Sequence, residues 1–184
     1  MELSIAIKSR RSVRKFTDYY ITDEEISDIL EAARFAPSWA NTQVWEFIVI
    51  RNRELIQKVT ETYSSTNPAR NCSFSSSALI AVCAKVKVSG CKDGAERTKF
   101  SNWFMFDLGL AVQNLCLKAF DLGIGTVIVG SMDHDACGKI LKLPENIELA
   151  AVIPLGKPES FPEKAPRRKE LKDFVHLDYF GNIF

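Results

Sequence analysis

Histidine and paired cysteine are scarce in this 184-residue chain: its two histidines are His134 and His176, and its five cysteines include no C-x-x-C spacing. A structural zinc site needs three or four such ligands at short spacing, so no metal is expected. An odd, scattered cysteine set also argues against a disulfide framework, and Cys83 and Cys116 lie within apolar runs, as small buried hydrophobes do. An excess of one charge is missing too, with 24 basic against 23 acidic residues and a formal net charge of +1. General nucleic-acid binders carry a basic excess over a whole face, which excludes that class. No apolar run approaches the length of a membrane span, and MELSIAIKSRR is too short and interrupted for a signal peptide. A cytoplasmic protein with no membrane partner is therefore expected.

The glycine-rich phosphate loops are absent as well. Gly123, Gly125 and Gly130 fail G-x-G-x-x-G because Ile128 stands where the third glycine belongs, and no G-x-x-x-x-G-K-[ST] occurs. Any nucleotide-like ligand must then be held largely by side chains.

What is present suits one globular domain, with 46% hydrophobic residues and enough length for a core. ELSIAIKSR has helical spacing. Thr22 with Glu25 makes a capping box, and Ile26, Ile29, Leu30 and Ala33 follow helical spacing up to Pro37. VWEFIVIRN reads as a strand, 53–63 as an amphipathic helix, and ALIAVCAKV as a strand covered on both faces. KVSGCKDGAERTK reads as a polar loop. The longest helix, expected over 100–120, is apolar on nearly every side, which implies burial in a core or against a partner. GIGTVIVG is expected to be a short buried strand, DHDACGKILKL a helix stopped by Pro144, and ELAAVIPLG the last core strand. Five of the seven prolines fall between Pro144 and Pro166, so an extended arm follows Gly156 and ends in the aromatic FVHLDYFGNIF.

Three segments could carry chemistry. In RRSVRKF, an extended backbone would project Arg10, Ser12 and Arg14 to one side and Arg11 and Val13 to the other. Two guanidinium groups flanking a hydroxyl suit a terminal phosphate. The competing reading is that these cations only cap the C-terminal end of the first helix. APSWANTQVWEF sits between a helix and a core strand, where Ser38, Asn41, Thr42 and Gln43 offer hydrogen bonds and Trp39 a flat surface that would suit an aromatic heterocycle. Trp45 reads as a core anchor. PRRKELKDFV brings Arg167 and Arg168, a solvated patch alone but a second set of cations for a dianion if it meets the first.

In this order, SRRSVRKF, APSWANTQVWEF, WFMFDLGLAVQNLCLKAFDLGIGT and VIPLGKP…PRRK resemble the FMN-dependent nitroreductase family over nearly the whole chain, Ser9 to Lys169. The resemblance implies an α+β fold, three-layer α/β/α with a central mixed, mainly antiparallel sheet. It implies a single domain over 1–184 in an intertwined homodimer, with the 157–184 arm adding a strand to the partner's sheet. Two FMN molecules would lie at the dimer interface. By position, Arg10, Ser12 and Arg14, assisted by Arg11, would contact phosphate and flavin, and Arg167 and Arg168 would close the phosphate site. Pro37, Ser38, Trp39 and Asn41 would lie along the isoalloxazine ring, donated by the other subunit. Ile128, Val129, Gly130 and Ser131 would bring backbone amides toward flavin N5.

The implied activity is ping-pong hydride transfer through N5 from NAD(P)H to a small-molecule acceptor, nitroaromatic, quinone or similar, with no catalytic side chain. Relatives of the same fold that dehalogenate, oxidise a ring or break down flavin keep other chemistries open, as does a flavin-binding or redox-sensing role without catalysis. Two departures stand out. Val44 replaces the proline of many members, and the stretch between Lys85 and Asn102 is short, which implies a more open site.

Overall fold

The computed structural model describes residues 1–162 and 164–184; Glu163, within the expected arm, lies outside them. A four-stranded sheet forms the middle layer, in the order β1 (Trp45–Ile50), β2 (Ala78–Lys85), β6 (Ile147–Gly156), β5 (Gly125–Thr126), with every pair antiparallel. A short hairpin, β3 (Cys91–Lys92) with β4 (Ala95–Glu96), stands apart from it. Beyond β5, Ser12 makes one parallel bridge to Thr126, which makes the sheet mixed at that edge.

Side-chain alternation along β2 explains the layers. Ala78, Ile80, Val82 and Ala84 pack with α2 (Asp23–Arg34) and α5 (Phe104–Asp121). Leu79, Ala81 and Cys83 join the opposite core with α3 (Arg53–Glu61), α4 (Arg70–Ser75) and α6 (His134–Ile140). The expectation of a strand covered on both faces is met, and so is that of α/β/α layering. The α2 capping box also forms: Thr22 Oγ1 accepts from the Glu25 amide and Glu25 Oε2 from the Thr22 amide.

Three local expectations are corrected. The long helix begins at Phe104, not near 100, because Ser101–Trp103 form a turn. Of the two kinds of burial expected for it, the core supplies one: Leu108, Ala111, Val112, Leu115 and Ala119 face it, while Met105, Phe106, Gly109 and Gln113 are exposed in the single subunit. The polar stretch read as a loop holds the β3–β4 hairpin, whose two-residue turn, Asp93–Gly94, has positive φ at both positions; the Asp-Gly pair was its signal. The strand expected in GIGTVIVG is split. Val129 pairs with Val152 in the register that Gly125 and Thr126 set against Gly156 and Leu155, but the next donor needed from β6, opposite Val127, is Pro154. Proline has no N–H, so the ladder lapses between Thr126 and Val129.

The N-terminal segment after α1 (Leu3–Ser9) lies along the β5 edge. The Val13 amide donates to Thr126 O at 2.9 Å and the Thr17 amide to Lys157 O at 2.8 Å. Two glycines permit this approach. A Cβ at Gly125 would sit 2.8 Å from Val13 Cβ, and one at Gly156 would lie closer still to the ring of Phe16. Gly156→Ala should therefore overpack this seam and cost about 1–3 kcal/mol. Urea unfolding should show a lower midpoint at constant slope, and an unchanged midpoint would contradict the packing described.

Candidate active site

On either side of its anchor at Val13 the basic segment forms one wall of a cavity of about 260 Å³. Arg10, Arg11, Ser12 and Arg14 line it from the N-terminal side, and Pro162, Lys164, Pro166 and Arg168 from the arm. The arm reaches this place because Phe161 packs edge-on against Phe120, with ring centroids 4.9 Å apart. Five cations thus share one small cavity, and among the described residues no carboxylate lines it. Their mutual repulsion would be relieved by an anion, and Ser12 adds a hydroxyl donor. The donor set fits a phosphate dianion, and the buried Nε of Arg11 has no hydrogen-bond partner among the described residues.

Arg11 corrects the period-two expectation, since it lines the cavity together with Arg10, Ser12 and Arg14. Its Nη1 donates to Lys8 O at 2.6 Å and Arg10 O at 2.8 Å, drawn back by the partial negative charge at the end of α1. The capping reading is therefore true of Arg11, alongside its place in the cavity wall. Arg167 is exposed and is not among the lining residues. Lys164 was missed, although its place between Pro162 and Pro166, two residues from each, was visible in the sequence.

The fields of these cations reach buried thiols. Burial pushes Cys72 up to about 11, with the positive charge of Arg14 pulling it partly back. Burial also raises Cys116, opposed by Thr126 and by Arg10. Cys83 is pushed up to about 12 by burial, with smaller contributions from Cys137 and Glu46.

A second cavity, about 250 Å³ and mostly apolar, lies between α5 and the sheet. Ile128 and Gly130 line it opposite Met105, Leu108, Val112 and Gln113. Since Ser12 bridges Thr126, and an extended chain rises about 3.3 Å per residue, Ile128 stands about 7 Å along the backbone from the cation cluster. Among the described residues, the amides of Ile128, Gly130 and Ser131 donate to no protein acceptor, whereas the Val129 amide is used by Val152. Carbonyls hold this segment from behind. Gly130 O lies 2.9 Å from His134 Nε2, while Ser131 O accepts from the Ser64 amide and from Asn67 Nδ2. His134 was also missed as a support for this segment; nothing in its sequence context distinguished it.

The third predicted segment stands apart. Ser38 begins a short 3-10 turn, Trp39–Asn41, and its Oγ accepts from the Gln43 amide at 2.9 Å. Ala40, Asn41 and Gln43 all have left-handed φ, at a cost of about 1 kcal/mol or more each for residues other than glycine. Pro37, Ser38, Trp39 and Asn41 line neither cavity of the single subunit. Trp45, half-buried against the core, is the anchor expected of it. A larger cavity of about 620 Å³ lies elsewhere, beside Arg51 and Arg53. Those guanidinium groups serve Asp23 and the carbonyls of Ile21, Ser76 and Phe74, with Arg51 Nη1 left without a partner among the described residues, and two cations line this cavity against five in the other.

Among the described residues, no group of three or more His, Cys, Asp or Glu side chains could hold a metal ion, and no helix is long and apolar enough to cross a membrane. A cation cluster, and a mostly apolar cavity with free amides farther along the same chain segment, have the chemistry to receive an anionic aromatic ligand. The family description "Nitroreductase family" matches residues 7–157. An Archaeoglobus fulgidus protein provisionally named an NADH dehydrogenase/NAD(P)H nitroreductase is 36% identical over 176 residues, covering 94% of this chain and 88% of the relative. A Vibrio harveyi NADPH-flavin oxidoreductase is 28% identical over 168 residues, covering 88% and 68%. The crystal structure of a Clostridium novyi nitroreductase family protein superposes with a TM-score of 0.78 at 27% identity, covering 100% of this chain and 97% of the other. The chain belongs to the nitroreductase family and is an oxidoreductase.

All five cysteines are free, and Cys91 alone is not buried. At pH 8 a thiol with a pKa of about 11 is thiolate only to about one part in a thousand. The native protein should therefore expose one fast-reacting thiol, Cys91, to an aromatic disulfide reagent at pH 8, and five in denaturant. Rapid native reaction of two or more would contradict the burial described.

Proposed function

We propose that this protein is an FMN-dependent NAD(P)H oxidoreductase that reduces nitroaromatic, quinone or similar acceptors. One observation carries the reading: cations from both ends of the chain converge on a single cavity, and the chain that leaves this place at Thr126 goes on to line an apolar slot. In this reading Arg10, Arg11, Ser12, Arg14, Lys164 and Arg168 hold the phosphate of FMN. The slot between α5 and Ile128–Gly130 holds its ring and excludes water. The free amides of Ile128, Gly130 and Ser131 supply donors toward the ring nitrogen. When bound, FMN supplies hydride chemistry at N5, alternating between NAD(P)H and the acceptor in one space. The protein then needs no nucleophile or general base of its own.

We further propose that the protein acts as a homodimer. The exposed strip of α5, the exposed Leu3, Ile5 and Ile7 of α1, and Phe35 leave apolar surface uncovered in one subunit. Among the described residues the outer edge of β1 has no neighbouring strand, and the arm carries exposed Phe174, Leu177, Tyr179, Phe180, Ile183 and Phe184. An arm laid on the partner would cover both edge and aromatics. Because Pro37–Asn41 line neither cavity of their own subunit, a partner's loop completing the ring site fits the same arrangement.

The purified protein should be yellow or take up added FMN. NADH or NADPH should bleach the bound flavin near its visible maximum, and a nitroaromatic or quinone should restore it. A protein that stays colourless with added FMN would overturn the reading, and a flavoprotein that NAD(P)H does not bleach would overturn its catalytic half. Arg14→Ala should weaken FMN retention and lower its reduction potential, because a cation favouring added negative charge is lost. Unchanged flavin content and potential would contradict that role.

A further inference from the structure

We propose that Asp107 is the positioning residue of the Ser38–Gln43 loop, and that through Ser89 it ties this loop to the excursion between β2 and α5. Asp107 is 1% exposed and lies in the first turn of α5, the most apolar helix of the chain. Among the described residues no lysine, arginine or histidine pairs with it. A buried carboxylate without a counter-ion persists only where hydrogen bonds and a helix N-terminus replace water. Both of its oxygens are occupied: Oδ1 accepts from the Trp39 amide at 3.1 Å, and Oδ2 from the Ser89 hydroxyl at 2.6 Å. A leucine or alanine would suit this core position for packing alone, so the carboxylate is retained for what it holds.

What it holds is a loop that does not hold itself. Ser38–Gln43 carries three left-handed residues other than glycine, and its internal bonds, Gln43 amide to Ser38 Oγ and Gln43 Nε2 to Asn41 Oδ1, join the loop only to itself. Among the described residues, Asp107 is the one hydrogen-bond partner of 38–43 that lies outside the loop. Its other oxygen fixes Ser89, next to Gly90, against which Trp103 packs so closely that a Cβ there would lie 2.8 Å from Trp103 Cβ. One carboxylate therefore sets the relative placement of two segments distant in sequence. In the flavin reading proposed above, on which the functional half of this inference rests, the loop shapes the ring and acceptor side. Asp107 then acts on turnover through Trp39 and not by touching the reacting atoms.

The test compares Asp107→Ala with Asp107→Asn in the full-length, FMN-loaded protein. Asparagine keeps an acceptor for the Trp39 amide, and the Ser89 hydroxyl can turn to accept from its NH₂. The readouts are hydrogen exchange of the 38–43 and 87–91 amides, and kcat and KM for a nitroaromatic acceptor. Asp107→Ala should speed exchange in both segments about tenfold or more and raise the acceptor KM more than it lowers kcat, with Asp107→Asn restoring most of both. Unchanged exchange in 38–43 for Asp107→Ala, or damage from Asp107→Asn equal to that from Asp107→Ala, would overturn the proposal. Should Asp107→Ala fail to fold, Ser89→Ala carries the test: faster exchange in both segments supports the tie, and an unaltered loop overturns it. Faster exchange with unaltered kinetics would overturn the role in turnover. A wild-type chain that binds no FMN would sink the flavin reading instead, leaving the exchange data to decide the tie.

Discussion

Everything at the site depends on the close seating of residues 12–17 against the end of the sheet. Val13 lies on Gly125 and Phe16 on Gly156, and amide bonds to Thr126 and Lys157 hold the two ends of the segment. A methyl group at either glycine would lift the segment away. The cations of Arg10, Arg11 and Arg14 would then lose their fixed relation to Lys164 and Arg168, which arrive from the far end of the chain. A protein of nearly balanced charge without a glycine-rich phosphate loop thus gathers a cluster of cations from two extended segments, each anchored by aromatic packing. Phe16 serves the first and Phe161 the second.

The same region shows how a break in regular structure becomes useful. Pro154 denies β5 the donor it needs opposite Val127, so the ladder lapses and the chain emerges with unspent amides at Ile128, Gly130 and Ser131. His134, Ser64 and Asn67 meanwhile hold the carbonyl side of that segment from behind. A regular strand would have consumed those donors within the sheet. Beside them α5 offers an apolar wall of residues that a single subunit leaves partly uncovered. The strained 38–43 loop, which donates one outside hydrogen bond to the buried Asp107 carboxylate, lines neither cavity of its own subunit.

Much of this was legible in the sequence, for identifiable reasons. The Thr22–Glu25 box, the continuous apolar run of β2 and the helical spacing of α2 are local signals that the tertiary structure reinforced. The convergence of Arg10, Ser12 and Arg14 with Arg168 was expected from the family resemblance, which named Arg167 too; read alone, the second cluster was a solvated patch. Other features could not be read locally. Whether Arg11 faced its neighbours or opposed them depended on the carbonyls at the end of α1, and the split in β5 depended on a proline some thirty residues away that only sheet register brings opposite. The Asp-Gly turn of the β3–β4 hairpin and the carboxylate Asp107 in the first turn of an apolar helix were signals visible in the sequence. The helix α4, rich in serine and asparagine, had no apolar spacing to reveal it.

The central claim is that the converging cations read a phosphate group. The most direct measurement is equilibrium binding of FMN and of riboflavin, which shares the ring and lacks the phosphate, to the apoprotein across a range of salt concentrations. The account predicts FMN to bind about a hundredfold or more tightly at low salt, with the gap narrowing as salt rises. Equal affinity for the two flavins at every salt concentration would contradict it.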